Sequence, residues 1–211
     1  MSKVIETTVY QLAELSDAAR ENARAWYREG GFDYEWYDTT FEDFERICEI
    51  LGVRLKTRPV RLMGGSTRQE PHIWFRGFWS QGDGACFEGR YEYAKSASAA
   101  IRAYAPRDAE LHRIADTLQA AQRRNFYQLY ADIDHRGRSY HMEIMVKRDS
   151  PVWQDMTRDA EDALDQAMRD LAHWLYRQLE RKYEYLTSNE AVDEAIVANE
   201  YTFTESGRRF G

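Results

Sequence analysis

Two neighbouring segments in which apolar and polar residues alternate constrain the fold of this chain most strongly. They run from Phe126 to Asp134 and from Tyr140 to Lys147, with a turn expected near Arg136-Gly137. Alternation of this kind is typical of strands with one buried face, so the pair predicts a β-hairpin. The predicted core face consists of Tyr127, Leu129, Ala131, Ile133, Tyr140, Met142, Ile144 and Val146.

The predicted turn also sets a register for this hairpin. It pairs Ile133 with Tyr140 and Leu129 with Ile144, which places Asp132 opposite His141 on the polar face. Carboxylates beside an imidazole are chemically able to hold a divalent cation. The weak metal candidates are therefore Asp132, His141 and Glu143. A polar face that is open to water explains the same pattern, so no metal is assigned.

Helical periodicity and capping signals fill much of the remaining chain. Ser16 and Ser188 are expected helix N-caps, and Thr39 begins a capping box. The predicted helices cover residues 16–29, 39–51, 95–104, 107–123, 157–185 and 187–199. Further strands are expected at residues 3–10, 53–62, 72–80, 85–93 and 201–203. This order predicts one α+β domain over residues 1–211, with an antiparallel sheet built from hairpins and amphipathic helices packed mainly on one face. Residues 206–211 are expected to form a loose tail.

A second predicted hairpin is rich in aromatic residues. Its strands, at residues 72–80 and 85–93, flank the four-residue loop at 81–84. With Ser80 opposite Ala85, Phe78 faces Phe87 and Trp79 faces Cys86. This register clusters the aromatic rings, which favours it.

The tip of that hairpin is the main candidate for a binding site. Its glycines allow a ligand to approach the backbone closely, and its rings are able to stack on a partner. The candidate binding residues are Trp79, Ser80, Gln81, Asp83, Cys86 and Glu88. Cys86 would be a nucleophile only with a histidine nearby, and no catalytic residue is assigned. A tight turn above an aromatic core is the structural alternative.

Charge is segregated along the chain, which has a net charge of −7. Residues 154–200 hold 12 acidic and 5 basic residues, whereas residues 54–68 hold five basic residues and no acidic one. An acidic surface repels nucleic acid and attracts basic partners. The basic segment suggests an alternative function, in which the chain is a binding protein or an enzyme for a nucleotide or another anionic small ligand. The ring of this ligand would stack on Trp79 at the hairpin of residues 77–89. The arginines that would neutralise its phosphates are Arg58, Arg61, Arg76 and Arg90.

Composition narrows the class of protein further. The chain has 14% aromatic residues, which argues against disorder, and no apolar run of the length that a membrane span needs. The first twenty residues carry charges and no apolar core, so a signal peptide is not expected. Cys48 and Cys86 stand in unrelated contexts and form no zinc motif, which favours two reduced thiols. A cytoplasmic protein without a cofactor is expected.

Three stretches resemble a known group of proteins. They are FRGFWSQGDGACFEGRYEYAKSA, APRDAELHRIADTLQAAQRRNFYQL and YRQLERKYEYLTSNEAVDEAIVANEYTFTESGRRF. They are similar to small phage- and prophage-encoded proteins commonly labelled "antitoxin of toxin–antitoxin stability system". The resemblance implies an accessory protein of a mobile element, located in the cytoplasm of a bacterial host cell. It also implies stoichiometric binding to a host protein, as an antitoxin-like or counter-defence inhibitor. No helix-turn-helix or ribbon-helix-helix signature is present, so a nucleic acid partner is not expected.

Overall fold

The computed structural model describes residues 6–31, 35–136 and 140–211. Within them the chain forms six α-helices and ten short strands, which confirms the predicted α+β class. The helices are α1 Asp17–Trp26, α2 Asp38–Leu51, α3 Ala97–Tyr104, α4 Ala109–Arg124, α5 Ala160–Leu186 and α6 Asn189–Ala198. The strands are β1 Val53–Leu55, β2 Thr57–Arg61, β3 Thr67–Pro71, β4 Ile73–Arg76, β5 Gly84–Phe87, β6 Gly89–Glu92, β7 Leu129–His135, β8 Met142–Arg148, β9 Thr202–Phe203 and β10 Arg209–Phe210.

The chain divides into two compact units. One comprises Met1–Tyr37 and Glu180–Gly211, and the other comprises Asp38–Leu179. The prediction of a single domain over residues 1–211 stays a prediction. None of the helices in the described part of the chain combines the length and the apolarity that a membrane span requires.

The larger unit is built on a four-stranded antiparallel sheet with the order β1-β6-β7-β8. One row across this sheet, Val53, Tyr91, Ala131 and Val146, is buried. The apolar sides of α2, α4 and α5 supply further buried residues of this unit. In the core the Phe44 ring lies 5.4 Å from the Phe87 ring and 6.5 Å from the Trp174 ring. The helices therefore cover one face of the sheet, as predicted, and the other face is polar.

The β7–β8 hairpin has the predicted core face except at Tyr127, which precedes β7 and is 44% exposed, and its register differs from the prediction. Ile133 pairs with Ile144 and Leu129 with Arg148, a shift of four residues from the prediction. Because side chains alternate with a period of two, a shift by an even number keeps each residue on its face. The shift places Asp132 opposite Met145 and Glu143 opposite Asp134, so the predicted pairing of Asp132 with His141 is wrong. Gly137, in the predicted turn, lies outside the described residues.

The aromatic hairpin is shorter than predicted, and its predicted register is wrong. Trp74 pairs with Cys86 and Phe75 with Ala85, so the connecting loop spans residues 77–83 and not four residues. Gly77 has a φ of +52°, which directs the chain out of the strand. Beyond β5, Gly89 begins a new strand that pairs with β1 and β7. A Cβ at Gly89 would lie 2.4 Å from the Arg54 carbonyl oxygen, so this close pairing requires glycine.

The smaller unit has its own apolar cluster. Ser16 accepts a hydrogen bond from the Ala19 backbone N–H, and Ser188 from that of Ala191, which confirms both predicted N-caps. The buried residues are Leu12, Leu15, Ala19, Ala23, Val192, Ile196 and Phe203. Of the strand predicted at residues 3–10, the described part contains only an isolated bridge from Tyr10 to Phe203, and residues 3–5 lie outside the description. Where a loose tail was expected, Arg209 and Phe210 pair with β9.

Candidate functional site

The loop of residues 77–83, here called the Trp79 loop, is held in shape by one carboxylate. Asp83 Oδ2 accepts hydrogen bonds from the backbone N–H groups of Trp79 and Ser80, at 3.0 and 2.6 Å. The Asp83 N–H in turn donates to the Ser80 carbonyl oxygen at 3.1 Å. Gly77 lies under this carboxylate, and a Cβ there would be 2.5 Å from Asp83 Oδ2. These contacts preorganise the loop before any partner arrives.

The loop presents its tryptophan to solvent. The Trp79 side chain is 75% exposed, whereas the neighbouring Phe78 is half-buried. The Phe78 ring lies 5.5 Å from the Tyr176 ring of α5 and 6.2 Å from the Phe75 ring. Phe78 therefore anchors the loop to the unit, and Trp79 is the exposed member of the pair.

A groove of about 480 Å³, here called the tip groove, lies along the same loop. Residues 82–85 form one part of its wall, and residues 140–142, at the start of β8, form another. The third part is one side of α5, which contributes Arg169, His173 and Tyr176. The groove thus combines glycine backbone with imidazole, phenol and guanidinium groups, a composition suited to contacts with a protein segment.

The guanidinium group of the tip groove is neutralised by a carboxylate. Arg169 donates to both carboxylate oxygens of Asp165, at 2.6 and 2.8 Å. Burial raises the pKa of Tyr140; the charge of Arg76 opposes this rise, and Cys86 and Asp83 add to it. Tyr140 is therefore a neutral phenol at physiological pH. Asp83, which also lines the groove, accepts hydrogen bonds from neutral backbone N–H groups, which leave its negative charge in place.

The structure removes Cys86 from the predicted site. Its side chain is fully buried on β5, facing away from solvent. Burial, with a smaller contribution from Glu88, raises the pKa of this thiol to about 12. A thiol in this state is not available as a nucleophile. The sequence did not indicate on which face of its strand the Cys86 side chain lies, because the predicted register paired this residue with Trp79.

Glu88 also lies outside the groove and organises a separate polar cluster. Its Oε2 lies 2.8 Å from His72 Nδ1, and its Oε1 accepts from the His135 backbone N–H at 3.1 Å. Lys56 lies 3.8 Å from Oε2 and also pairs with Asp134. Burial alone would raise the pKa of Glu88, but these hydrogen bonds and the lysine charge hold it below its ordinary value. Glu88 is thus a satisfied structural carboxylate.

The remaining predicted binding residues lie in the Trp79 loop itself. Ser80 and Gln81 are exposed there, and Asp83 lines the tip groove. The weak metal candidates are not brought together as predicted, since His141 lines the groove while Asp132 pairs with Arg90 at 2.9 Å. Glu143 pairs with Arg136. Across residues 6–31, 35–136 and 140–211 no group of three or more His, Cys, Asp or Glu side chains is placed to hold a metal ion.

The four arginines of the anionic-ligand alternative are distributed over three strands. Arg58 lies on β2, where it pairs with Glu70 at 3.3 Å, and Arg61 ends the same strand. Arg90 lies on β6 and is held by Glu92 and Asp132, at 2.7 and 2.9 Å. Arg76, at the end of β4, is near enough to Tyr140 to influence its pKa. This distribution does not form one phosphate-binding site.

Sequence reasoning missed the part of the groove that α5 supplies. His173 of this helix is exposed and lines the groove. Arg169, Ala172, His173 and Tyr176 follow the three-and-four spacing of one helix face. The spacing can be recognised in the sequence, but nothing in the sequence places this helix face beside the Trp79 loop.

A second groove, of about 530 Å³, lies elsewhere on the larger unit. Its side chains include Glu45, Glu49, Arg54 and Glu92. Arg54 donates to Glu92 at 3.1 Å, and burial with repulsion from neighbouring glutamates raises the pKa of Glu45. The groove offers carboxylates and no exposed aromatic anchor. The tip groove is therefore the better candidate for recognition.

The fold and the site define an α+β protein that presents a preformed aromatic loop beside a shallow groove. The chain belongs to the family described as Domain of unknown function (DUF8835), whose model matches residues 36–189. That span includes the Trp79 loop and every residue of the tip groove. No curated protein and no solved structure matches the chain significantly.

Proposed function

We propose that this protein acts by stoichiometric binding to another protein, with the Trp79 loop and the tip groove as the contact surface. The observation that carries the proposal is a tryptophan that is 75% exposed on a loop pinned by two hydrogen bonds to Asp83. Transfer of a large exposed indole from water into an apolar contact is favourable, and a rigid loop loses little entropy when a partner covers it.

The composition of the surface supports a protein partner. Binding energy in protein interfaces is concentrated in Trp, Tyr and Arg residues near the centre of the contact. Here the loop that carries Trp79 also lines a groove that contains Tyr140, Tyr176 and Arg169. Because Arg169 is already paired with Asp165, we expect the partner to insert an apolar or aromatic side chain.

The biological setting that fits this mode of action is the one the sequence resemblance implies. An accessory protein of a phage or prophage would occlude a host protein in the bacterial cytoplasm, as an antitoxin-like or counter-defence inhibitor. Such a role needs a rigid recognition surface and no catalytic group.

Affinity capture with a matched pair of variants tests the proposal. Tagged wild-type protein, Trp79→Ala and Trp153→Ala are incubated with bacterial lysate, and the captured proteins are quantified by mass spectrometry. Trp153 is also exposed but lies far along the chain from the loop, so its variant controls for loss of a surface indole. We expect one partner to be retained at near-equal molar amount by wild type and Trp153→Ala and to be lost with Trp79→Ala.

Two outcomes would contradict the proposal. One is equal capture of the stoichiometric partner by all three proteins, which would make the Trp79 loop structural. The other is the absence of a stoichiometric partner together with turnover of a substrate by the purified protein. The melting temperatures of the variants, measured in parallel, show that each is folded.

A further inference from the structure

Three exposed aromatic residues adopt a backbone conformation that ordinary residues avoid. Phe126, Tyr127 and Trp153 have φ values of +56°, +61° and +56°. In the part of the chain that the structure describes, only Ser96 and Glu200 join them among non-glycine residues. Their side chains are 69%, 44% and 94% exposed, so burial offsets little of the strain at Phe126 and Trp153, whereas the Tyr127 ring lies 4.5 Å from the Tyr93 ring. Backbone strain that local packing does not offset is concentrated at functional sites.

Buried amide side chains hold the first of these segments in place. Gln122, fully buried, donates to the Leu129 carbonyl oxygen at 2.7 Å and accepts from the Leu129 N–H at 3.1 Å. Asn125, also fully buried, donates to Thr157 Oγ1 at 3.0 Å and accepts from the Thr157 N–H at 2.9 Å. The turn that contains Phe126 and Tyr127 is therefore fixed at both ends. Asn125 also ties it to the segment that follows Trp153.

Arg148 joins the two strained segments. Its guanidinium carbon lies 5.5 Å from the centre of the Phe126 ring, and it donates to Gln128 Oε1 at 3.0 Å. It also donates to Gln154 Oε1 at 3.0 Å and to the Asp155 carbonyl oxygen at 2.6 Å. These acceptors are neutral, so the positive charge of Arg148 is oriented without being cancelled. Phe126, Tyr127, Trp153 and Arg148 are called the aromatic platform below.

The segments that form the aromatic platform carry a small excess of positive charge, although the whole chain is negative. Arg123 and Arg124 precede Phe126, and residues 123–128 contain no acidic residue. Residues 148–158 contain Arg148 and Arg158 with two aspartates. Arg124 is paired with Asp159 at 2.7 Å, whereas Arg123 and Arg158 are exposed with no ion pair among the described residues. A partner should therefore combine planar rings with negative charge.

We propose that the aromatic platform binds single-stranded nucleic acid. Unpaired bases stack on exposed aromatic rings, and guanidinium groups contact the phosphates between them. The fixed turn presents the rings before binding, so little conformational entropy is lost. In duplex nucleic acid the bases are stacked inside the helix and cannot reach the platform. This surface is independent of the Trp79 loop and of the function proposed for it.

Fluorescence anisotropy with a labelled 20-nucleotide single strand tests the proposal. Wild-type protein should raise the anisotropy in a concentration-dependent way, and unlabelled single strand should compete better than duplex of the same sequence. Stacking contributes enough per base that Phe126→Ala and Trp153→Ala should each weaken binding by about fivefold or more. Trp79→Ala, which removes an exposed indole outside the platform, should bind like wild type.

Charge variants provide a second, separate readout. For single strands the logarithm of the affinity falls with the logarithm of salt concentration, with a slope of about −0.7 per phosphate contact. Arg123→Gln and Arg158→Gln should make this slope shallower, whereas Arg61→Gln, an exposed arginine on β2, should not. No anisotropy change at low salt, or equal affinities of wild type, Phe126→Ala and Trp153→Ala, would overturn the proposal. A dimer that Trp153→Ala disrupts, found by sedimentation together with a flat anisotropy, would assign the platform to self-association.

Discussion

The rigidity of the Trp79 loop rests on a contact between Gly77 and Asp83, and a double-mutant cycle measures it. Gly77→Ala places a Cβ where Asp83 Oδ2 lies 2.5 Å away and Asp83 Cγ 2.8 Å away. The carboxylate must then move, and its hydrogen bonds to Trp79 and Ser80 are lost. Asp83→Ala removes the same hydrogen bonds directly, and in that background the new methyl group meets no carboxylate.

The structure gives an approximate magnitude for each arm of the cycle. A non-glycine residue in the left-handed region costs about 1 kcal/mol or somewhat more. The two hydrogen bonds to a charged acceptor contribute about 1–2 kcal/mol together, because the loop is partly exposed to water. Gly77→Ala should therefore cost about 2–3 kcal/mol, Asp83→Ala about 1–2 kcal/mol, and the double variant about as much as Gly77→Ala alone.

Urea unfolding, followed by circular dichroism, gives the free energy of unfolding of wild type, Gly77→Ala, Asp83→Ala and the double variant. Both single variants lose the same two hydrogen bonds, and the double variant loses them only once. The sum of the two single losses should therefore exceed the loss in the double variant by about 1–2 kcal/mol, which is the coupling free energy. Additive losses, agreeing within about 0.5 kcal/mol, would refute the claim that Asp83 holds the loop over Gly77.

Three further predictions concern other parts of the molecule. The thiols of Cys48 and Cys86 are buried, and burial raises the pKa of each. Both should therefore stay unreactive toward a disulfide reagent at pH 8 until urea unfolds the chain. Rapid labelling of either thiol in the folded protein would contradict its buried position. Burial raises the pKa of Tyr91 to about 12, against 10.0 for a free phenol, while its hydrogen bond from Gln122 opposes the rise. The stabilisation that depends on a neutral Tyr91 is therefore complete below pH 10 and is lost as pH rises toward 12, by up to about 1.4 kcal/mol per pH unit. Urea titrations should show the stability of wild type falling relative to that of Tyr91→Phe over this range, and a constant difference would be inconsistent with the burial. Phe126→Gly should be more stable than Phe126→Ala by about 1 kcal/mol, because both variants lack the ring and only Gly accepts the φ of +56° without strain. Equal melting temperatures of the two variants would show that this backbone is unstrained.

The sequence predicted which residues face the core better than it predicted their partners. Leu129, Ala131, Ile133, Met142 and Val146 are buried as expected, because the alternation of a strand fixes its face. The register depends on where the turn lies. In the aromatic hairpin the turn begins at Gly77, earlier than expected, because Asp83 binds backbone groups across the loop. These hydrogen bonds join residues only three and four positions apart, but the alternation of apolar and polar residues carries no sign of them.

The candidate site was partly predictable for the same reason. The Trp79 loop was visible as a glycine-rich segment between aromatic strands, and it does carry an exposed indole. The α5 wall of the groove comes from residues almost a hundred positions later in the chain, and only the tertiary fold brings it there. The strain at Phe126 and Tyr127 was hidden because these residues continue the alternating pattern of the following strand.

Hydrogen–deuterium exchange of the purified complex tests most directly whether the Trp79 loop is the recognition surface. We expect the partner to slow exchange of the backbone amides of residues 78–84 and of residues 140–142, with residues 57–71 unchanged. Exchange in the loop that is the same with and without the partner, and protection that appears elsewhere, would contradict the account.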